Sequence, residues 1–136
     1  MAFDNIMEEI PQYKTDCQKL GSVKAFEKWQ IPARVVGYEL LLRAIEQKKN
    51  IFFDHGGSNQ GHVDLIKEIK KLQYSSEIHF ITCPVEVCLK RCTQRETTTK
   101  RHTPSYLVIS RHNQTKQLVS QYKQICDKFV RHEFVS

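Results

Sequence analysis

Residues 50–62, NIFFDHGGSNQGH, form the segment that comes closest to a phosphate-binding loop. Gly56 and Gly61 have the G-x-x-x-x-G spacing of a nucleotide-binding loop, but His62 and Val63 stand where Lys and Ser or Thr are required. Without the lysine there is no cation for the β- and γ-phosphates, and without the hydroxyl there is no protein ligand for magnesium. This loop alone is therefore not expected to drive phosphoryl transfer.

A cationic cluster in the last part of the chain indicates an anionic ligand. The net charge is +6, and residues 84–136 carry all of it, with ten Lys or Arg against four Asp or Glu. The densest part is residues 88–102, CLKRCTQRETTTKRH. Arg91 and Arg95 are one helical turn apart, so both guanidinium groups can reach one anion. The alternative is a solvated helix face with Glu96 as a local partner.

The cysteines do not predict a metal site. They are Cys17, Cys83, Cys88, Cys92 and Cys126. No C-x-x-C pair occurs, and Cys88 and Cys92 fall on the apolar side of a predicted helix. We therefore expect reduced thiols in the core and no metal ligand among them.

Composition indicates one globular cytoplasmic domain over residues 1–136. Of these residues 40% are hydrophobic and 26% are charged, as in ordinary globular proteins. No run reaches the ~18 apolar residues of a membrane span, and the N-terminal segment has no cationic-then-apolar leader. Aromatic and basic residues do not interleave as they do in nucleic-acid-binding segments, so neither a membrane nor a nucleic acid is the expected partner.

Hydrophobic periodicity predicts helices alternating with strands. Helices are predicted over residues 15–30, from Pro32 onward, over 63–72, after Pro84, and from Pro104 to the C-terminal region. The last of these has an inner stripe of Leu118, Tyr122, Ile125 and Phe129. The predicted strands are 51–53, short and buried, and 77–83, covered on both faces. This order predicts an α/β fold with a small, mainly parallel sheet flanked by helices.

In order and spacing, five stretches resemble the zeta-toxin group of P-loop kinases. They are FDNIMEEIPQY, PARVVGYELLLRAI, NIFFDHGGSN, IHFITCP and VCLKRCTQRETTTKRHTP. The resemblance covers nearly the whole chain and corresponds to the middle and C-terminal portion of the family. It implies a single truncated P-loop-kinase-like domain of three layers, whose first strand and Walker motif would lie before Met1.

The resemblance also implies roles for five residues. Asp4 matches the acidic residue that accepts the proton of the substrate hydroxyl, and the alternative is a helix N-cap. Asp54, at the end of a predicted strand, matches a substrate or magnesium contact, and the alternative is a turn residue before the glycines. Arg91, Arg95 and Arg101 match the arginine-rich lid that closes over the phosphates of ATP.

The implied activity is that of a toxin of the toxin–antitoxin type, which transfers phosphate from ATP, with magnesium, to a small hydroxyl-bearing metabolite such as a nucleotide sugar. Because the Walker lysine is missing, we expect the chain alone to be impaired or inactive. The alternative is a non-catalytic binding or regulatory module that acts through a protein partner. The family's first strand would pair with residues 51–54 and 78–83, so these strands either pair directly or are completed by a second copy or a partner.

Overall fold

A computed structural model describes residues 1–99 and 102–135, with residue 99 described by its backbone alone. The described chain forms helices α1 (Phe3–Glu9), α2 (Pro11–Leu20), α3 (Ser22–Glu46), α4 (Gln60–Lys71), α5 (Val85–Thr99) and α6 (Ser105–Ile125), and strands β1 (Glu77–Thr82) and β2 (Lys128–Glu133). The strands pair in parallel, which confirms an α/β fold with a small parallel sheet.

The backbone divides into two compact units, which are described separately. The first is Met1–His55 with Arg95–His102, and the second is Gly56–Gln94 with Thr103–Ser136. The helix α5 contributes residues to both. The single domain over residues 1–136 stays a prediction.

Small residues on α3 shape the first unit, where α1 and α2 pack against that helix. Ala25 and Ala33 are fully buried, and together with Met7 and Tyr13 they form the core of this unit. Gly37 is also buried, and a Cβ atom there would lie 2.5 Å from a ring carbon of Phe3. The short side chains of α3 therefore allow the neighbouring helices to approach closely.

The break between α2 and α3 falls at Gly21, so the prediction of two helices meeting near Pro32 is wrong. Gly21 adopts a φ angle of 84°, which glycine reaches without a Cβ penalty. Pro32 lies inside α3. Its ring removes one backbone donor, but the helix continues on both sides.

Residues 51–53 do not form the predicted buried strand. The neighbouring Asp54 forms an isolated parallel bridge with Ala2, and the Met1 amino group donates to the Phe52 carbonyl. The Phe52 side chain is 81% exposed. Toward His55 the pairing ends at once, because α1 begins at Phe3, immediately after Ala2, and a parallel ladder needs an extended partner.

The sheet lies in the second unit, and its strands are in register from Glu77 opposite Lys128 to Thr82 opposite Glu133. β1 confirms the strand predicted over 77–83. However, alternate residues of β1 are exposed, Ile81 to 68%. The prediction that both of its faces are covered is therefore wrong.

The chain enters β2 through Asp127, and the predicted helix does not extend so far. The Asp127 carboxylate accepts hydrogen bonds from the Ser76 backbone N–H at 2.7 Å and from Lys70 Nζ at 3.1 Å. These bonds hold the start of β2 beside the start of β1. As a result α6 ends at Ile125, and Phe129, expected on its inner stripe, lies in β2.

α4 and α6 pack together in the second unit. Val63 and Tyr122 are buried, and the Tyr122 hydroxyl donates to the Gly57 carbonyl at 2.9 Å. Burial raises the pKa of Tyr122 to about 12. Helix α4 and the glycine segment before it are thereby fixed to α6.

Helix α4 confirms the amphipathic helix predicted over 63–72, but it begins earlier. The Asn59 side chain caps it by accepting from the Gly61 backbone N–H at 2.8 Å. Gly61 lies in the first turn of α4, where His62 and Val63 stand in place of the Lys and Ser or Thr of a phosphate-binding loop. Within the described ranges no helix has both the length and the apolar character needed to cross a membrane.

Candidate functional site

A cavity of 230 Å³ lies beyond the carboxyl end of β1, within the second unit. Thr82 and Cys83 line it at the strand end, and the facing wall comes from α6. We call it the β1-end cavity. Ligand crevices in α/β proteins form at this end of parallel strands.

Four polar residues of α6 line this cavity along one side of the helix. Arg111, His112, Thr115 and Lys116 follow one another at helical spacing, so they share a face. Arg111 and Lys116 bring two positive charges, and no Asp or Glu occurs among the described residues that line the cavity. A lining with two cations and no acid favours an anionic ligand.

Hydrogen bonds hold α6 next to the strand end and the glycine segment. His112 Nε2 lies 3.0 Å from the Cys83 carbonyl oxygen, and since a carbonyl can only accept, Nε2 carries the proton. The Thr115 hydroxyl lies 3.1 Å from the Gly56 carbonyl and 2.7 Å from the Arg111 carbonyl. Hydrogen bonds therefore connect α6 with the two other segments that line the cavity, the end of β1 and the glycine segment.

The two predicted site carboxylates lie close together in the backbone of the first unit. Asp54 is bridged to Ala2, and Asp4 follows Ala2 by two residues, so their Cα atoms are within roughly 12 Å. Asp54 is exposed and Asp4 is half-buried. The N-cap alternative for Asp4 is wrong, because Ala2 occupies the cap position of α1 and makes no side-chain cap bond.

Arg91 is exposed on α5 and lines a surface groove of 470 Å³ with Lys90 and Val135. Its guanidinium carbon lies 5.9 Å from the centre of the Phe134 ring, within the range of a cation–π contact. Val135 is 84% exposed. The β1-end cavity is the better candidate site, because it lies at the carboxyl end of a parallel strand and combines Arg111 and Lys116 with the hydroxyl of Thr115.

Arg95 and Arg101 are the other two predicted lid arginines. Arg95 also lies on α5, is half-buried and belongs to the first unit, whereas Arg101 lies outside the described residues. Convergence of these arginines on one anion stays a prediction. Glu96, named above as their alternative partner, lies 2.8 Å from His102.

The described residues contain no group of three or more His, Cys, Asp or Glu side chains placed to hold a metal ion. The sulfur atoms of Cys83 and Cys88 lie 3.1 Å apart. Both are half-buried and line the β1-end cavity, so they are not interior core thiols as predicted.

We did not predict Arg111, Thr115 and Lys116 as candidate ligands. The sequence does contain a pattern that could have identified them, because basic and hydroxyl residues recur on one helical face after a strand–helix unit. The prediction favoured residues 88–102 instead, because basic residues are denser there. Only the structure brings this face of α6 to the end of β1.

Comparison with known proteins identifies the family. The family model described as Zeta toxin matches residues 1–135. No curated protein and no solved structure matches the chain. The family match relates the chain, at a coarse level, to toxins of the P-loop-kinase type. On that match, the chain belongs to the Zeta toxin family.

Proposed function

We propose that this chain binds the phosphate groups of a nucleotide in the β1-end cavity. The observation that carries the proposal is the lining of that cavity, where Arg111 and Lys116 stand opposite the strand end with no acid among the described lining residues. Guanidinium and ammonium groups are the usual protein partners of phosphate oxygens. The relationship to kinase-type toxins supports a nucleotide as the source of those phosphates.

The size of the cavity limits what it encloses. Pockets that bury a drug-sized ligand have volumes of roughly 300–1,000 Å³, and the β1-end cavity has 230 Å³. It therefore suits a phosphate chain better than a whole nucleotide. We propose that the sugar and the base remain outside it.

ATP with magnesium is the proposed cofactor pair. Magnesium keeps several waters and needs only one or two protein carboxylates beside the phosphates, so it does not require a cluster of three protein ligands. Asp54 is exposed, and its contact with substrate or magnesium is proposed separately from the cavity. The metal would neutralise charge on the phosphates when bound.

Phosphoryl transfer to a small hydroxyl-bearing metabolite, such as a nucleotide sugar, is the second candidate function. It is favoured by the Ala2–Asp54 bridge, which holds the backbone of Asp4 near that of Asp54. We propose Asp4 as the base toward the hydroxyl, Asp54 as a substrate or magnesium contact, and Arg91, Arg95 and Arg101 as phosphate ligands. Each role is proposed for its residue separately.

Calorimetric titration of the chain with ATP and magnesium tests the phosphate site. We expect Arg111→Gln/Lys116→Gln to weaken binding at least about tenfold, because charge-assisted hydrogen bonds to the phosphates are lost. The matched control is Lys67→Gln/Lys71→Gln on α4, which removes two exposed positive charges from the same unit. Equal affinities of the two double variants would overturn the proposal.

A turnover assay then separates the two candidate functions. Phosphate transfer that is lost in Asp4→Asn, with ATP affinity unchanged, would support a kinase-type enzyme. Binding without transfer to any hydroxyl-bearing acceptor would leave the alternative, a non-catalytic module that acts through a partner protein or a second copy.

A further inference from the structure

The Cys83 and Cys88 thiols are in contact at the wall of the β1-end cavity. Their sulfur atoms lie 3.1 Å apart, and a disulfide bond requires about 2.05 Å. An approach of roughly 1 Å would join them, which is within the reach of side-chain rotation. The other three cysteines are not needed for this geometry.

The backbone on both sides of the thiol pair is held in place. The Cys83 carbonyl accepts from His112 Nε2 at 3.0 Å. The Cys88 backbone N–H donates to the Pro84 carbonyl at 3.1 Å, in the first turn of α5. These hydrogen bonds hold the backbone of both cysteines, so the two sulfur atoms face each other at contact distance.

A small oxidant can reach the pair, because both residues line the cavity and both are half-buried. We propose that Cys83 and Cys88 are a reversible dithiol–disulfide site, which takes a low-molecular-weight disulfide such as oxidised glutathione as its oxidant. This thiol chemistry does not depend on the phosphate site proposed above.

The reaction proceeds by two exchanges. The Cys83 sulfur attacks the small-molecule disulfide and releases one thiol, and the Cys88 sulfur then displaces the second thiol to form the protein disulfide. The protein loses two electrons and two protons, and the two released thiols carry both.

Both exchanges depend on pH, because each needs its attacking cysteine as a thiolate. Burial and the neighbouring Cys83 raise the pKa of Cys88 to about 11, so at neutral pH Cys88 is almost entirely in its thiol form. Cys83 is therefore the cysteine that takes the first mixed disulfide. Closure to the protein disulfide should become faster as the pH rises.

The test is oxidation of the reduced chain by oxidised glutathione, followed by alkylation of the free thiols and peptide mass spectrometry. We expect the five thiols of the chain to fall to three, with one peptide cross-linked between Cys83 and Cys88. Cys92→Ser and Cys126→Ser are matched controls, and both should give the same cross-link.

Cys88→Ser should instead stop at a glutathione adduct on Cys83. If this variant does not fold, as judged by circular dichroism, the cross-link map of the unaltered chain decides the matter. An unaltered chain that retains five thiols, or that joins Cys88 to Cys92, would overturn the proposal.

Protection by ATP links the site to the proposed function, and this one readout rests on that function. If phosphates occupy the cavity, ATP at ten times its Kd should slow the oxidation about tenfold. Oxidation that ATP does not slow would count against the phosphate site and would leave the dithiol assignment intact.

Discussion

Asp127 shows how one carboxylate can fix the start of a strand. It accepts from the Ser76 backbone N–H and from Lys70 Nζ, and these bonds, with the Ser76 hydrogen bond the larger cause, lower its pKa below the ordinary value of 3.8. The folded state therefore favours the charged form. Its contribution to stability is present above pH 3.8 and is lost as the pH falls through the lowered folded value.

We accordingly predict that Asp127→Asn lowers the denaturant midpoint near neutral pH, and that the difference from the unaltered chain shrinks as the pH falls below 3.8. Urea unfolding at several pH values measures it. Asp64→Asn is the matched control, because Asp64 faces Lys67 in an exposed pair at 3.7 Å. Equal midpoints for both variants near neutral pH would contradict this account of β2.

Gly37 is a second residue whose side chain, here a hydrogen atom, decides packing. A Cβ atom would lie 2.5 Å from Phe3 Cδ1 and 3.0 Å from Ile6 Cδ1. The Phe3 ring cannot simply turn aside, because it also contacts the rings of Tyr38 and Phe53. The backbone of α3 or α1 must shift instead.

We predict that Gly37→Ala lowers the free energy of unfolding by about 1–3 kcal/mol, because the overpacking exceeds the gain in helix propensity. Chemical denaturation measures the change. Gly56→Ala is the control, since a Cβ atom there meets nothing within 4 Å. A stabilised Gly37→Ala variant would show that α1 and α3 are not packed as described.

At the residue scale, the sequence indicated a kind of ligand but not the side chains that line the cavity. It predicted an anionic ligand for the basic C-terminal part of the chain. It could not predict that Arg111 and Lys116 would line a cavity, because this depends on the packing of α6 beside the end of β1. Side-chain convergence across elements is a property of tertiary structure and leaves little trace in local spacing.

At the scale of the element, some helices and strands follow from local sequence patterns, and others depend on contacts with distant parts of the chain. α4 and β1 were predictable, because amphipathic spacing and a short apolar run are local patterns. β2 was not, because Lys128–Glu133 continues the helical stripe of α6 and becomes a strand only by pairing with β1. For residues 51–53 the sequence predicted a strand that the structure does not have. The pattern is typical of a strand, but the segment has no continuing partner in the described chain.

Pro32 gives a test at the scale of the element. If Pro32 began a helix, replacing it with alanine would change stability little. Because it lies inside α3, we predict that Pro32→Ala restores a backbone hydrogen bond and raises the free energy of unfolding by about 1–3 kcal/mol.

Urea denaturation measures the effect of Pro32→Ala. Arg34→Ala, at a nearby exposed position of α3, is the control and should change stability by less than about 0.5 kcal/mol. An unchanged Pro32→Ala variant would favour two separate helices over the continuous α3.

Positive charge is distributed unevenly along the chain, and this distribution affects the binding of anions. Ten Lys or Arg against four Asp or Glu in residues 84–136 give that part of the chain the entire net charge of +6. Mobile ions screen such a charge over about 10 Å at 0.1 M salt. Nucleotide binding should therefore be sensitive to ionic strength.

We predict that the affinity for ATP falls as potassium chloride is raised, and that Arg111→Gln/Lys116→Gln shows a weaker dependence on salt than the Lys67→Gln/Lys71→Gln control. Calorimetric titration across a salt series measures both. If the ATP affinity of both double variants depends on salt to the same extent, the phosphates bind to cations other than Arg111 and Lys116.

The pairing of β1 with β2 joins Glu77 to Lys128, across 51 residues of chain. Long loops close late, because their entropy must be lost before the ladder forms. The helices of the first unit, with neighbours close in sequence, should fold well before the sheet. During synthesis the segment EIHFITC, which contains β1, is made before its partner β2, whose first residue is translated 51 residues after Glu77. In that interval it is a hydrophobic strand with open edges, and it is the segment where we expect crowded, newly made chains to begin aggregating.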